Sequence, residues 1–234
     1  MLSPTLGRFS ALAKGARRSR RRFVNVLEPF TLLRAHLRGG NAHLSPFLDQ
    51  ADLVEAWEAI RFDPWRFVTA AYFAELAELF SKPRAGQEIF GLLQEALEVL
   101  SREGMHLLFK LAFELKLLSL SGFGPELNLC VRCHTSNSLL TAFSLEEGGL
   151  ICRNCQRETD ISLSSRNIAF LRACLRYPLS TIKRVHISPK DLSQSAGLIE
   201  NYLLRILDGE VKALQVWKQM NTRRDLGEGL GRSE

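Results

Sequence analysis

Hydrophobic and polar positions change rhythm near residue 51. Before that point apolar residues come in short, partly alternating runs, Phe9-Ser10-Ala11-Leu12-Ala13 and residues 30–37. Gly39-Gly40-Asn41 is a strong turn signal, and residues 43–48, beginning at His43, supply a return strand. This half predicts a small sheet or barrel. After residue 51 the spacing becomes helical. Asp63-Pro64 predicts a capped helix start, because proline lacks the N–H that the first turn leaves unpaired anyway. Phe67, Ala70, Ala71, Ala74, Leu76 and Leu79 follow at helical spacing, up to Ser81-Lys82-Pro83. A second helix carries Ile89, Leu92, Leu93, Ala96, Leu97 and Leu100. A third runs from Met105 to Leu120 and stops at Gly122; it is apolar on most sides, the mark of a central helix. Helices are predicted again over 165–177, 190–207 and 210–220, with a frayed tail over 221–234.

Residues 124–160 interrupt the helices with paired cysteines. Cys130-x2-Cys133 is followed, after eighteen residues, by Cys152-x2-Cys155. Two such turns can place four thiolates around one ion at about 2.3 Å, the spacing of a zinc ribbon. Gly148-Gly149 serves the turn between them. Two alternatives compete. One is a pair of disulfides, which a reducing compartment disfavours. The other is c-type haem attachment at Cys130-Val131-Arg132-Cys133-His134, which leaves the second pair unexplained. Four protein ligands leave no open position, so the ion is expected to be one structural Zn2+. His134 reads as a turn residue and Cys174 as a buried small side chain.

Composition excludes some classes. With 46% hydrophobic and 24% charged residues, the chain reads as globular. Lys110, Glu114 and Lys116 break the longest apolar run, so no membrane span is expected. The first residues carry no secretory pattern, and a cytoplasmic location follows. The net charge of +6 is uneven. Residues 1–40 hold nine basic side chains against Glu28, a net +8, which leaves the remainder at −2. Lys14, Arg17, Arg18, Arg20, Arg21 and Arg22 fall within nine residues, and Arg34 follows. A field confined to one end suits a polyanion, most simply nucleic acid bound through its backbone. Phe9, Phe23 and Phe30 are candidates for stacking on bases, with core packing as the blander reading. The five histidines are scattered, and no nucleophile elbow, phosphate loop or paired-histidine helix motif is present. No enzymatic activity is expected.

Together these residues resemble the RecO family of bacterial recombination mediators. The resemblance rests on Gly7-Arg8-Phe9-Ser10-Ala11-Leu12-Ala13-Lys14-Gly15-Ala16-Arg17, Leu27-Glu28-Pro29-Phe30 and Ala51-Asp52-Leu53-Val54-Glu55. It continues through Gly122-Phe123-Gly124-Pro125-Glu126-Leu127-Asn128-Leu129-Cys130 and Gly148-Gly149-Leu150-Ile151-Cys152. It implies an α+β chain: an OB-fold barrel over 1–55, then a helical domain over 56–234 with a four-cysteine zinc finger at about 126–160. It implies binding and annealing of single- and double-stranded DNA. The implied partners are RecR and the C-terminal tail of single-stranded-DNA-binding protein, and the implied outcome is loading of RecA. Cys130, Cys133, Cys152 and Cys155 match the family's zinc ligands. Residues 14–22 fall where its DNA contacts lie. The alternative reading is a protein-interaction scaffold with little DNA binding of its own. The family's first strands lie ahead of the segment matching Leu6-Gly7-Arg8, so an upstream start or an open barrel is expected.

Overall fold

The computed structural model describes residues 1–16, 19, 22, 23, 26–40, 45–81, 86–136 and 139–229, the last eight by backbone alone. These form a mixed α+β chain that divides into two compact units, Met1–Gly104 and Met105–Glu234.

In the first unit β1 (Leu2–Ser3) pairs antiparallel with β2 (Gly7–Arg8), and β3 (Leu32–Arg38) pairs antiparallel with β4 (Phe47–Glu55). Alternation along β3 sends Arg34, His36 and Arg38 to solvent. Leu33, Ala35 and Leu37 turn the other way, onto a small core of Phe23, Val26, Leu48 and Ala51. The far edge of β4 is met by Leu12, whose N–H donates to the Pro46 carbonyl at 2.9 Å while its carbonyl accepts from Leu48 at 3.1 Å. Sheet pairing among the described residues ends there, as two strand pairs and one bridge, and does not draw a closed barrel.

The strand expected over 43–48 begins instead at Phe47 and continues to Glu55, into residues read as helical; residues 41–44 lie outside the described ones. The reason is cross-strand packing: Ala51 sits opposite Ala35 and is buried, so period two wins over a weak helical pattern. Helices follow as α1 (Glu58–Phe62), α2 (Pro64–Phe80) and α3 (Gly86–Glu103), which pack on one another. The Asp63 carboxylate caps α2, accepting from the N–H of Trp65 at 2.8 Å and of Arg66 at 3.2 Å. Residues 82–85, which include the expected stop at Lys82-Pro83, lie outside the described residues.

The second unit is built on α4 (Leu107–Leu120), whose residues from Phe109 to Leu115 are all buried. Around it pack α5 (Ser165–Arg176), a short 3-10 helix (Leu179–Arg184) and α6 (Pro189–Leu207). Ser164 and Asn167 form a capping box at the start of α5. The Asn167 amide also donates to the Asp191 carbonyl at 2.9 Å and to Ser195 Oγ at 3.0 Å, tying α5 to α6. One face of α4 is charged inside the core. Lys110 Nζ lies 2.5 Å from Glu114 and 2.7 Å from Glu200 of α6, and 5.0 Å from the ring centre of Trp217. Trp217 belongs to α7 (Lys212–Gly229), whose Lys218 reaches Glu200 at 2.6 Å. The helix therefore runs well past residue 220, where a frayed tail was expected. No proline interrupts it.

Candidate functional site

Between α4 and α5 the chain forms a three-stranded antiparallel sheet, ordered β6-β5-β7, from β5 (Leu140–Ser144), β6 (Gly149–Cys152) and β7 (Ile161–Ser162). The segment carrying the first cysteine pair lies along β6. Leu150 donates to the Glu126 carbonyl at 2.9 Å, and Val131 donates to the Leu150 carbonyl at 3.0 Å. Gly149 makes this approach possible, because a Cβ there would sit 2.9 Å from the Glu126 carbonyl and against the Val131 side chain. Gly148, at φ 69°, faces Tyr202 of α6 so closely that a Cβ would be 2.6 Å from its hydroxyl. That tyrosine packs edge-on against Phe143 at 5.6 Å and donates to the Phe123 carbonyl at 3.2 Å, seating the sheet on the helices.

Two turns bring the sulfurs together. His134 donates its N–H to the Cys130 carbonyl at 2.8 Å, and Cys155 donates to the Cys152 carbonyl at 3.0 Å. The four Sγ atoms of Cys130, Cys133, Cys152 and Cys155 all lie within 4.8 Å of one another. The Cys133–Cys152 pair is 3.7 Å apart. A tetrahedral ion with sulfur ligands at about 2.3 Å requires edges of about 3.8 Å, so these residues are positioned to hold a metal ion. Cys130 and Cys152 are buried beside Ala142 and Ile151, and Cys133 faces solvent. His134 is exposed in a left-handed turn, and Cys174 is buried in α5 with its thiol pushed up to about 12 by burial.

The electrostatics fit a cation. Burial opposes ionisation of Cys130, but backbone groups of Cys152, Cys133 and Arg132 outweigh it and bring its pKa to about 6. Hydrogen bonding to Cys152 and Cys133, with burial, pushes Cys155 up to about 12. Neighbouring thiolates repel, so one ionises readily and another resists. A bound dication removes that conflict.

Sequence reading missed the brace around these turns. Arg132 donates to both carboxylate oxygens of Asp160, at 2.7 and 2.9 Å, to Glu147 at 2.7 Å and to the Cys155 carbonyl at 2.5 Å. Burial works against the Asp160 carboxylate, yet Arg132 and the Arg157 N–H hold its pKa below the usual range. A basic residue between the two cysteines of the first turn was the available signal. Its partner, 28 residues on, carried none.

The basic candidates fall in two places. Arg22 donates to the Lys14 carbonyl at 3.3 Å, which brings these two together beside β4. Arg34 stands apart on β3, opposite Asp52. All three are exposed. Arg17, Arg18, Arg20 and Arg21 lie outside the described residues. Arg38, not singled out from sequence, joins Arg22 at Asp49, at 3.0 and 3.7 Å respectively. Its signal was the period-two series Arg34, His36, Arg38. Of the aromatic candidates, Phe23 is core, Phe30 stacks edge-on against Phe67 at 5.2 Å, and Phe9 is half-buried.

By class this is a mixed α+β chain with four cysteines positioned to hold a metal ion, set among helices and preceded by a strand pair with basic residues on its outer face. Family models match almost end to end: that for Recombination protein O N terminal over residues 1–57, and that for Recombination protein O C terminal over residues 61–215. The chain belongs to the RecO family of DNA repair proteins. It is similar to the DNA repair protein RecO of Syntrophus aciditrophicus (strain SB), with 29% identity over 217 residues, 90% of this chain and 84% of that protein. It is 38% identical over 157 residues to the RecO protein of Anaeromyxobacter sp. (strain K), covering 66% of this chain and 62% of that one. Among the described residues no helix is long and apolar enough to cross a membrane.

Proposed function

We propose that this protein is a recombination mediator that acts by binding. It holds single- and double-stranded DNA through residues 1–55 and anneals complementary strands. With RecR, it helps place RecA on DNA coated by single-stranded-DNA-binding protein, and it carries out no catalysis of its own. The observation that carries the reading is the net +8 of residues 1–40, with Lys14, Arg22 and Arg34 exposed on that segment. Such side chains bind phosphates and leave bases unread, which suits pairing of arbitrary sequences. Neutralising two strands together lowers their mutual repulsion. The β3–β4 pair with its Leu12 bridge is consistent with part of an OB-type barrel. Residues 56–234 form the helical domain in this reading, and the four-cysteine site holds one structural Zn2+ that orders the segment at about 126–160. Changing Arg17, Arg18, Arg20, Arg21 and Arg22 to alanine should abolish annealing. It should also flatten the salt dependence of binding by about one in log-log slope for each phosphate no longer neutralised. Unchanged annealing and an unchanged slope would remove this surface from the mechanism.

A second reading, a scaffold that works mainly through protein partners, is favoured by a cleft of about 720 Å³ in the second unit. Leu108, Phe170, Val185 and Leu192 give it an apolar lining, and Arg166 and His186 stand in its wall. An apolar pocket with the Arg166 guanidinium in its wall, beside Asp191, suits the apolar residues of the single-stranded-DNA-binding protein tail, with one cation for its carboxylates. Tail binding that survives while all DNA binding is lost in the arginine variant would assign the two activities to separate surfaces.

A further inference from the structure

Among the exposed apolar side chains of the strand pair, Phe47, Leu53 and Val54, Phe47 is the one aromatic ring. Phe47 opens β4 with 48% of its surface exposed, while the next residue, Leu48, is buried. Its antiparallel neighbour is Arg38 of β3, and its parallel neighbour on the other edge is Leu12, itself 56% exposed. Leu12, Phe47 and Arg38 thus form a row across three strands. Directly opposed residues in paired strands share a face, so the three side chains stand side by side. Arg38 and Arg22 converge on Asp49, the bulged residue of β4 two positions from Phe47. Arg22 also reaches the backbone of Lys14. Arg34 and His36 continue the outward face of β3. An exposed ring with Arg38 as its cross-strand neighbour, and a stripe of Arg34, His36 and Arg38 whose charge Asp49 and Asp52 partly offset, has the make-up of a platform for an unpaired base and its phosphates. A duplex offers only its phosphates to such a surface, since its bases are stacked inside.

We propose that Phe47 is a base-stacking residue that gives this face preference for single-stranded over double-stranded nucleic acid. The inference rests on the proposed DNA binding of the N-terminal segment. The stripe supplies affinity for either form through the phosphates. Phe47 adds an interaction that only an unpaired base can make, and Leu12 supports the ring's apolar edge. Two of the three aromatic residues marked by the sequence pattern are committed elsewhere, Phe23 in the core and Phe30 against Phe67.

The test measures binding of the full chain to an oligo-dT strand and to a duplex of equal length, at one salt concentration, by fluorescence anisotropy. Phe47→Ala should weaken oligo-dT binding about tenfold, the loss of one stacked base, and change duplex binding by less than about twofold. Phe47→Trp should keep oligo-dT affinity and add an emission that the strand quenches, and unchanged circular dichroism of Phe47→Ala controls for its folding. Equal weakening for strand and duplex, or unchanged strand binding without quenching in Phe47→Trp, would overturn the stacking role. The DNA-binding reading would still stand if Arg22→Ala with Arg38→Ala weakens both forms. If the wild-type chain binds neither form, that reading fails and this one with it.

Discussion

Lys110→Met removes the one cation that Glu114 and Glu200 share inside the second unit. Lys110 and Glu114 are fully buried, and their charged atoms are 2.5 Å apart; Glu200 is 2.7 Å away on α6. Methionine keeps most of the volume and packs against Trp217, so the loss is electrostatic more than steric. Glu200 retains Lys218 at 2.6 Å, which leaves Glu114 as the carboxylate that must be desolvated without Lys110. Breaking a buried pair in this way costs about 3–5 kcal/mol. For a unit of this size that corresponds to a fall in Tm of about 12–20 °C. The assay is thermal and urea unfolding of the single variant, of Glu114→Met, and of the double variant. Replacing both partners by apolar groups should recover most of the loss, giving a coupling energy above about 2 kcal/mol.

The pH dependence has a definite sign. Burial raises the Glu200 pKa, but Lys110 and Lys218 outweigh it and hold the group below its usual range. A carboxylate depressed on folding stabilises above its unfolded pKa of about 4.3, and that stability is lost as pH falls through the folded value. Lys110 is the converse: burial lowers its pKa, and Glu114 and Glu200 raise it further than burial lowers it. Its contribution is complete at neutral pH and lost only above about pH 10.4. The variant should therefore lose stability at pH 7 and show a flatter acid limb than the wild type. A single-variant loss under about 1 kcal/mol, or strictly additive losses in the double variant, would refute this coupling.

Three further outcomes concern the four-cysteine site. Cys130→Ser with Cys133→Ser should reduce bound zinc, measured by elemental analysis, from about one ion per chain to none, and acidification should displace the ion from the unaltered protein because the thiols must lose protons to bind it. Asp160→Asn removes one charged partner of Arg132 and should lower metal affinity about tenfold in a chelator competition at pH 7, with helical content by circular dichroism unchanged.

Much of the fold was legible because it is encoded locally. Asp63-Pro64 announced the start of α2 through a cap that spans three residues. The two cysteine pairs announced the clustering of four sulfurs because each turn is built from neighbours, and only the joining hairpin had to be supplied. Features set by distant residues were hidden. The pairing of Ala51 with Ala35 drew β4 past its expected end. Arg132 and Asp160 met through a fold that neither residue signals. Lys110 and Glu114 read only as charges that break the longest apolar run, yet both are buried, joined there by a carboxylate from α6. Burial also separated the phenylalanines, placing Phe23 inside and Phe47 outside although both stand near basic residues.

Lys110 and Glu200 are 90 residues apart, and that separation has a consequence during synthesis. Helix α4 is apolar over nearly its whole circumference, a surface that sticks to other nascent chains when bare. At roughly 5–20 residues per second, its partner helix leaves the ribosome about 5–18 s later. Through that interval Lys110 and Glu114 are hydrated charges that interrupt the apolar surface of the waiting helix. The same charges then neutralise one another as α6 closes over them. A sequence with leucine at both positions would give the finished domain a core of similar content but would leave α4 unprotected on the way there.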